Sequence, residues 1–408
     1  MRALCYVTNQ KQDLKKHRKP LPTTPKNNEP ETLTDLFHPQ TLPAKRELLI
    51  GVIEGCGIGP EVIGAALRVL KAVEQATGLK FKLQRGGPIG DEAEKLFGTG
   101  LPESTAQFFA DIFNRGGAIL NGPGGGRFVY DLRRRFDLFC KFAPVRPWPE
   151  LARETQIGTD NLRKLDMLIV RDNDGGVYQG QWKTNKTTAG TVAEHTFSYT
   201  EQQVQRIAQV AARAAATRSG KMHVIIKDGG VPSISDLWRA VSVAVAKQHG
   251  VEVLFMNVDL AAYEFIRNPL RFDVVLTPNL FGDILVDITG ALLGSRGVTF
   301  SGNYDGQGRG VYQTNHGCAH DLTGTDAANP AGQILSLAMM LRESFALPHA
   351  AALIENALAA TWREGCRTVD VAEPGCSVLG TRAMSEKIVQ QILRLAEKPG
   401  HETRVAAD

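Results

Sequence analysis

The chain has 408 residues, 43% hydrophobic and 22% charged, an ordinary globular composition long enough for two or three domains or one large two-lobed body. Its net charge of +4 is unevenly spread: residues 1–46 hold nine Lys/Arg against four Asp/Glu, so the remainder is close to neutral and offers no nucleic-acid footprint. No apolar run reaches the roughly 18 residues of a membrane span, and six scattered cysteines without a C-x-x-C pair or zinc-like grouping read as reduced thiols of a cytoplasmic protein.

Residues 8–46 are rich in Pro and Lys with little apolar periodicity, which predicts a flexible basic extension. Beyond it, LLIGVI (48–53) reads as a strand running into EGCGIGPEVIGAALRVL. There Gly55, Gly57 and Gly59 end the strand, and Pro60 sits in the first helical turn, where its missing N–H costs nothing. The third glycine of a dinucleotide fingerprint would fall at Pro60, so this loop is weak evidence for a nucleotide. Further strands are predicted at KFKLQ (80–84), GAIL (117–120), KLDMLIV (164–170), HVIIK (223–227), VEVLFM (251–256) and FDVVLT (272–277). Helices are predicted over 60–78, 200–218, 235–250 and 329–346. Such alternation is the signature of an α/β chain with a largely parallel sheet.

In such sheets ligand clefts form at the carboxyl ends of the strands. Arg171, Lys227, Asp259 and Asp283 each follow a predicted strand. Any one of them also reads as a charge that keeps a strand end soluble. NLFGDILVDITGAL (279–292) puts Asp283 and Asp287 one turn apart on one helix face, with Gly290 and Ala291 continuing it and Ile284, Ile288 and Leu292 as an apolar stripe alongside. The pair reads either as a solvated face or as ligands for a hard divalent cation, with Asp259 as a third ligand. Finally, NHGCAHDLTGTDAANP is a His-Gly turn and polar loop before a helix opening at Asn329-Pro330.

Together these stretches resemble the isocitrate and isopropylmalate dehydrogenases, the metal-dependent β-decarboxylating dehydrogenases of (R)-hydroxyacids. The likeness spans about residues 48–397: G-x-G-I-G-P-E, L-R-x-x-x-D-L-F at 132–139, R-x-N-x-x-G-x-Y at 171–178, Lys227, N-L-F-G-D-I-L-x-D at 279–287, H-G-x-A-x-D at 316–321, A-N-P at 328–330 and G-T-R at 380–382. It implies an isopropylmalate dehydrogenase-like two-domain α/β fold with mostly parallel sheets. Residues 47–138 and 294–408 would build a large cofactor domain, and 139–293 a smaller substrate and dimerisation domain. TTAGTVAEHTFSYT (187–200) sits at the place of an intersubunit arm, so a homodimer is expected.

By the same resemblance, Asp259, Asp283 and Asp287 bind Mg²⁺ or Mn²⁺, with Asp259 often supplied across the dimer. Lys227 assists in taking the hydroxyl proton, Tyr178 returns a proton to carbon after CO₂ leaves, and Arg133 and Arg171 clamp carboxylates of a small acidic substrate. His316 and Asn329 fall in adenine-binding places, and Gly317 belongs to the same turn. Asp321 would accept from ribose hydroxyls and repel a 2′-phosphate, which favours NAD over NADP.

The sequence also departs from the family pattern around the ligands. Ala143 stands where a second carboxylate-binding Arg belongs, a loss of about 1.5–3 kcal/mol at a buried anion. Lys141, Arg134, Arg135 and Arg146 are the candidates to compensate. Gly229 replaces the Asn of K-x-N, Cys56 the Asp of G-D-G, and Gln313 a Glu before the His-Gly turn. GGGRFVYDLRRR (124–135) lacks both the Ser and Asn spacing of isocitrate enzymes and the Glu and leucines of isopropylmalate enzymes, with Arg127 near the isocitrate-type Ser. The expectation is therefore a dehydrogenase of another small hydroxyacid, malate-, tartrate- or homoisocitrate-like, turning over neither familiar substrate well. The alternative is a catalytically weak regulatory or scaffold subunit.

Overall fold

A computed structural model of the protein describes residues 32–37, 47–154 and 164–397. In chain order the first part comprises β1 (Leu49–Ile53), α1 (Gly59–Thr77), β2 (Lys82–Arg85), α2 (Gly90–Phe97), α3 (Glu103–Asn114), β3 (Ala118–Asn121) and α4 (Phe128–Arg135). The middle comprises β4 (Cys140–Val145), β5 (Met167–Asp172), the hairpin β6 (Gln181–Thr187) and β7 (Gly190–Thr196), α5 (Glu201–Ala216), β8 (Lys221–Ile226), α6 (Pro232–His249), β9 (Glu252–Asn257), α7 (Val258–Arg267), β10 (Val274–Thr277) and α8 (Asn279–Leu293). The chain then returns through β11 (Phe300–Tyr304), β12 (Gly310–Thr314), α9 (Ala331–Glu343), α10 (Pro348–Arg363), the short strands β13 (Cys366–Arg367) and β14 (Ser377–Val378), and α11 (Thr381–Ala396).

Ten strands form one sheet in the order β2-β1-β3-β12-β11-β4-β5-β10-β8-β9. Every predicted strand and helix is present, and the sheet is mostly parallel, as the alternating pattern implied. Within this sheet, among the described residues, only the β12–β11, β11–β4 and β4–β5 pairs are antiparallel. β5, β10, β8 and β9 therefore run parallel, and their carboxyl ends share one edge. That edge carries Arg171, Lys227, Asp259 and the start of α8. β4 runs the other way, so its amino end, with Lys141 opposite Arg171 in the register, reaches the same edge.

The helices form where local chemistry starts and stops them. Thr200 caps α5 through a reciprocal box: its hydroxyl accepts from the Gln203 N–H at 3.2 Å, and the Gln203 side chain accepts from the Thr200 N–H at 2.9 Å. A cap of this kind is worth about 1 kcal/mol. α5 then buries Val204, Ile207, Ala208, Ala211 and Ala215 against the sheet, the apolar face its period predicts. α9 is buried almost all round and forms the centre of the other half.

The N-terminal extension is not wholly detached. Thr32–Phe37 forms a turn of 3₁₀ helix whose Phe37 ring packs 5.9 Å from Phe139, 5.7 Å from Phe142 and 5.6 Å from Tyr304. The Leu33 N–H also donates to the buried Glu343 carboxylate at 2.5 Å. One apolar pair, Leu36 and Phe37, suffices to anchor a polar segment because each ring or branched chain buried gains about 1.5–3 kcal/mol. The rest of the expected extension, 1–31 and 38–46, lies outside the described residues.

His223, in the middle of β8, is 2% exposed, and neither ring nitrogen has a hydrogen-bond partner among the described residues. Burial, with Arg271 and Lys221 adding to it, pushes its pKa down to about 4. The folded state thus binds this proton less readily than the unfolded chain, so stability should fall as pH drops from about 6.5 through 4. His223→Leu is expected to flatten that acid limb, a change of about 3 kcal/mol at pH 4, read from melting temperature against pH.

Candidate active site

The site is built outward from the start of α8. Asn279 is fully buried, and both ends of its side-chain amide and its main-chain N–H are engaged. Its Oδ1 accepts from Arg171 Nη2 at 2.8 Å, its Nδ2 donates to the Gly175 carbonyl at 3.0 Å, and its N–H donates to the Tyr199 hydroxyl at 2.9 Å. Arg171, 1% exposed, turns its Nη1 to Asp283 Oδ1, and the Tyr178 hydroxyl donates to Asp283 Oδ2 at 2.7 Å. Gly282 makes this packing possible: a Cβ there would fall 2.2 Å from Thr277 Oγ1 and 2.7 Å from Arg171 Cγ.

Two further basic side chains act on the same group. Arg133 on α4 and Lys141 on β4 are 5% and 4% exposed. Burial and then Arg171 push the Arg133 pKa down to about 9, and burial with Arg171 and Arg133 holds Lys141 well below the usual amine range. Burial works to raise Asp283, yet Arg171, the Tyr178 hydroxyl, Lys141 and Arg133 outweigh it and keep the carboxyl low. Arg133 Nε and Nη1 are buried with no partner among the described residues. Two buried guanidiniums with orphaned N–H groups, beside an amine whose charge burial disfavours, leave hydrogen-bond donors unanswered around one carboxylate, and burying them so is costly unless an acceptor completes the set.

Lys141 is the candidate that lies beside Ala143. The two lie two residues apart on one face of β4, and Ala143 is itself buried in the apolar core. Of the other candidates, Arg134 donates to Gln179, Arg135 pairs with Glu103 and Arg146 with Asp166. Tyr130, which the sequence did not single out, packs tilted with its ring centroid 4.8 Å from that of Tyr178 and receives the Arg127 and Arg133 guanidiniums at 5.2 and 5.8 Å from its centroid.

The remaining acids stand apart. Asp287 pairs with Arg296 at 2.9 Å. The space expected beside Gly290 is filled by the same arginine, whose Cγ would lie 3.0 Å from a Cβ at that position. Lys227 Nζ is 2.6 Å from Asp259 Oδ1, and this hydrogen bond is the first cause of the low Asp259 pKa. Among the described residues no hydrogen bond or ion pair joins the Lys227–Asp259 pair to the Asp283 cluster. Nor do Asp259, Asp283 and Asp287 bring their oxygens within 4.8 Å of one another inside one chain.

The expected stripe on α8 is also redistributed. Leu292 is buried and Ile288 partly so, but Ile284 is 50% exposed, and Leu285, Val286 and Leu293 complete the core face instead. Ile284 joins Leu260 and Tyr263 of α7 as exposed large apolar side chains on two helices that pack together. The hairpin β6–β7, at the place of the expected arm, is exposed along its whole length.

In the His-Gly loop, His316 Nδ1 is 3.0 Å from the Gly317 carbonyl, and burial pushes the imidazole pKa down. Gly317 has open space where a Cβ would stand, and Asp321 is exposed. Asn329 is more committed: its Nδ2 donates to Asp370 at 3.1 Å, and its Oδ1 accepts the Ala331 N–H at 3.0 Å just before α9. It fixes the loop rather than offering a free amide.

A mostly parallel α/β sheet with buried basic side chains gathered at the carboxyl ends of its strands is the architecture in which ligand clefts form at that edge. The family model described as isocitrate/isopropylmalate dehydrogenase matches residues 49–388, and the chain belongs to that family of oxidoreductases. It is 37% identical over 358 residues to the 3-isopropylmalate dehydrogenase of Carboxydothermus hydrogenoformans, covering 84% of this chain and 94% of that one. It is 35% identical to that of Chromobacterium violaceum, covering 83% and 99%. The crystal structure of isocitrate dehydrogenase from Methylococcus capsulatus superimposes with a TM-score of 0.75 at 29% identity, covering 85% of this chain and 99% of that one.

Proposed function

We propose that this protein oxidises, with loss of CO₂, a small (R)-2-hydroxy di- or tricarboxylic acid, using NAD and Mg²⁺ or Mn²⁺. The observation that carries the reading is the convergence of Arg133, Lys141 and Arg171 on Asp283 and Tyr178, with two donors of Arg133 unsatisfied. Those donors fit substrate carboxylates. Oxygen-only ligands at Asp283, Asp287 and Asp259 fit a hard divalent cation, and the exposed Asp321 carboxylate suits a dinucleotide without a 2′-phosphate. When bound, the cation would acidify the substrate hydroxyl and NAD would accept the hydride.

The chain's own groups do the rest. Arg133, Arg171 and Lys141 orient the carboxylates, Lys227 takes the hydroxyl proton and Tyr178 delivers one to carbon. The separation of the Lys227–Asp259 pair from the Asp283 cluster in one chain is met by a homodimer in which each copy lends that pair to the other. The apolar side chains of Leu260, Tyr263 and Ile284 and the exposed hairpin 181–196 support such an interface. With this pairing, residues 47–138 and 294–408 form the cofactor domain and 139–293 the substrate and dimerisation domain. Tyr130 and Arg127 in the specificity segment favour small or polar substituents over a branched apolar one. Assay of a panel of (R)-2-hydroxy diacids with NAD and Mn²⁺ tests the reading. NADH formation with malate- or tartrate-like acids, exceeding that with isopropylmalate by about tenfold, is expected. Metal and acid binding without turnover of any panel member would instead mark a regulatory subunit.

A further inference from the structure

The second grouping of ligand-type side chains is unrelated to the carboxylate pocket. Asp91, Cys318 and His320 each offer one donor atom, and all three atoms lie within 4.8 Å of one another. His320 Nε2 is 2.9 Å from Asp91 Oδ2, although the two residues are 229 apart in the chain. The cysteines give no zinc-like spacing along the sequence, and it is the fold that supplies the grouping.

Backbone contacts hold the donors in place. The Ile58 N–H donates to the Cys318 carbonyl at 2.9 Å, and a Cβ on Gly57 would fall 2.0 Å from that oxygen, so the glycine-rich turn is seated directly on Cys318. On the other side the Asp91 N–H donates to the Gly124 carbonyl at 3.1 Å, and a Cβ on Gly125 would fall 2.5 Å from Asp91 Oδ2. Between the two loop donors Ala319 takes φ +43°, a left-handed conformation uncommon for a residue with a side chain. Cys318 is buried, while the His320 and Asp91 side chains are 61% and 39% exposed, which leaves one side open to solvent.

We propose that Asp91, Cys318 and His320 form a binding site for a thiophilic divalent cation, Zn²⁺ in the first instance, with an open coordination position. Sulfur, imidazole and carboxylate donors suit zinc and disfavour Mg²⁺ and Mn²⁺, whose preference is for oxygen. Thiolate and carboxylate together neutralise a dication. Cys56, a hydrogen-bond neighbour of Cys318, keeps a second sulfur close by. The ion would tie the loop that carries His316 and Asp321 to the start of α2. None of Asp259, Asp283 and Asp287 is used, so the site stands whether or not the dehydrogenase reading does.

The test uses the reduced, chelator-treated full chain loaded with Co²⁺ and, separately, titrated with Zn²⁺. A thiolate-to-cobalt charge-transfer band is expected, lost in Cys318→Ser and retained in Asp283→Asn. Zinc affinity should fall by about tenfold or more in His320→Ala and Asp91→Asn. His320 is exposed, so its variant folds irrespective of metal, and circular dichroism of each metal-free variant verifies this. Absence of the band, its survival in Cys318→Ser, or zinc affinity unchanged in His320→Ala would overturn the site.

Discussion

Lys227→Ala is expected to lower kcat by about 10²–10⁴-fold while leaving the fold and substrate affinity nearly unchanged. The side chain is partly exposed, and its one ionic partner among the described residues is the exposed Asp259. An exposed pair contributes only about 0–1 kcal/mol, so the stability cost is small. The catalytic cost is large because no other amine or imidazole is paired with Asp259 among the described residues. Steady-state kinetics with melting temperature as control separate the two. If the Lys227–Asp259 pair serves the other copy, mixing Lys227→Ala with Tyr178→Phe subunits should restore activity to about a quarter of wild type on re-association, one of the two sites of each mixed dimer escaping both substitutions. Retention of full activity by Lys227→Ala alone would remove this residue from the chemistry.

Asp283→Asn should be more damaging in a different way. Asp283 is the acceptor for Arg171 and for the Tyr178 hydroxyl and the carboxylate whose charge acts most on Lys141 and Arg133. Neutralising it leaves the buried Arg171 with only Asn279 as an acceptor, a stability loss of about 1.5–3 kcal/mol. The Tyr178 pKa is raised by burial, then by the hydrogen bond to Asp283 and its charge, so removing that charge should bring the phenol down. Ultraviolet titration should show one tyrosine ionising at lower pH than in wild type. Mn²⁺ affinity is expected to fall about 100-fold or more, measured by titration calorimetry. Unchanged Mn²⁺ binding would exclude Asp283 as a ligand.

Much of this was legible in the residues themselves. Seven strands and five helices, α8 among them, follow from apolar period, glycine and proline punctuation, because each is set by local burial and backbone preference. β4, β11 and β12 escape that reading. CKFAPV carries a lysine and a proline, and FSGNY is polar; their burial depends on neighbours far along the chain. The same holds for the site. Arg171, Tyr178 and Asp283 could be named from a motif, but Asn279, lying inside that motif, gave no sign that it would lock Arg171. Arg296 gave none that it would occupy the space beside Gly290.

By itself the sequence determined the family, the α/β class and the inventory of charged groups at strand ends. Those are properties of residue type and short-range spacing, and they survive without coordinates. Only the tertiary structure decided that Lys141 faces inward where Ala143 cannot act, that Leu36 and Phe37 dock a polar extension, and that Asp91 meets His320 from across the fold. Each is a contact between residues remote in the chain, fixed by sheet register and packing, for which local sequence carries no signal.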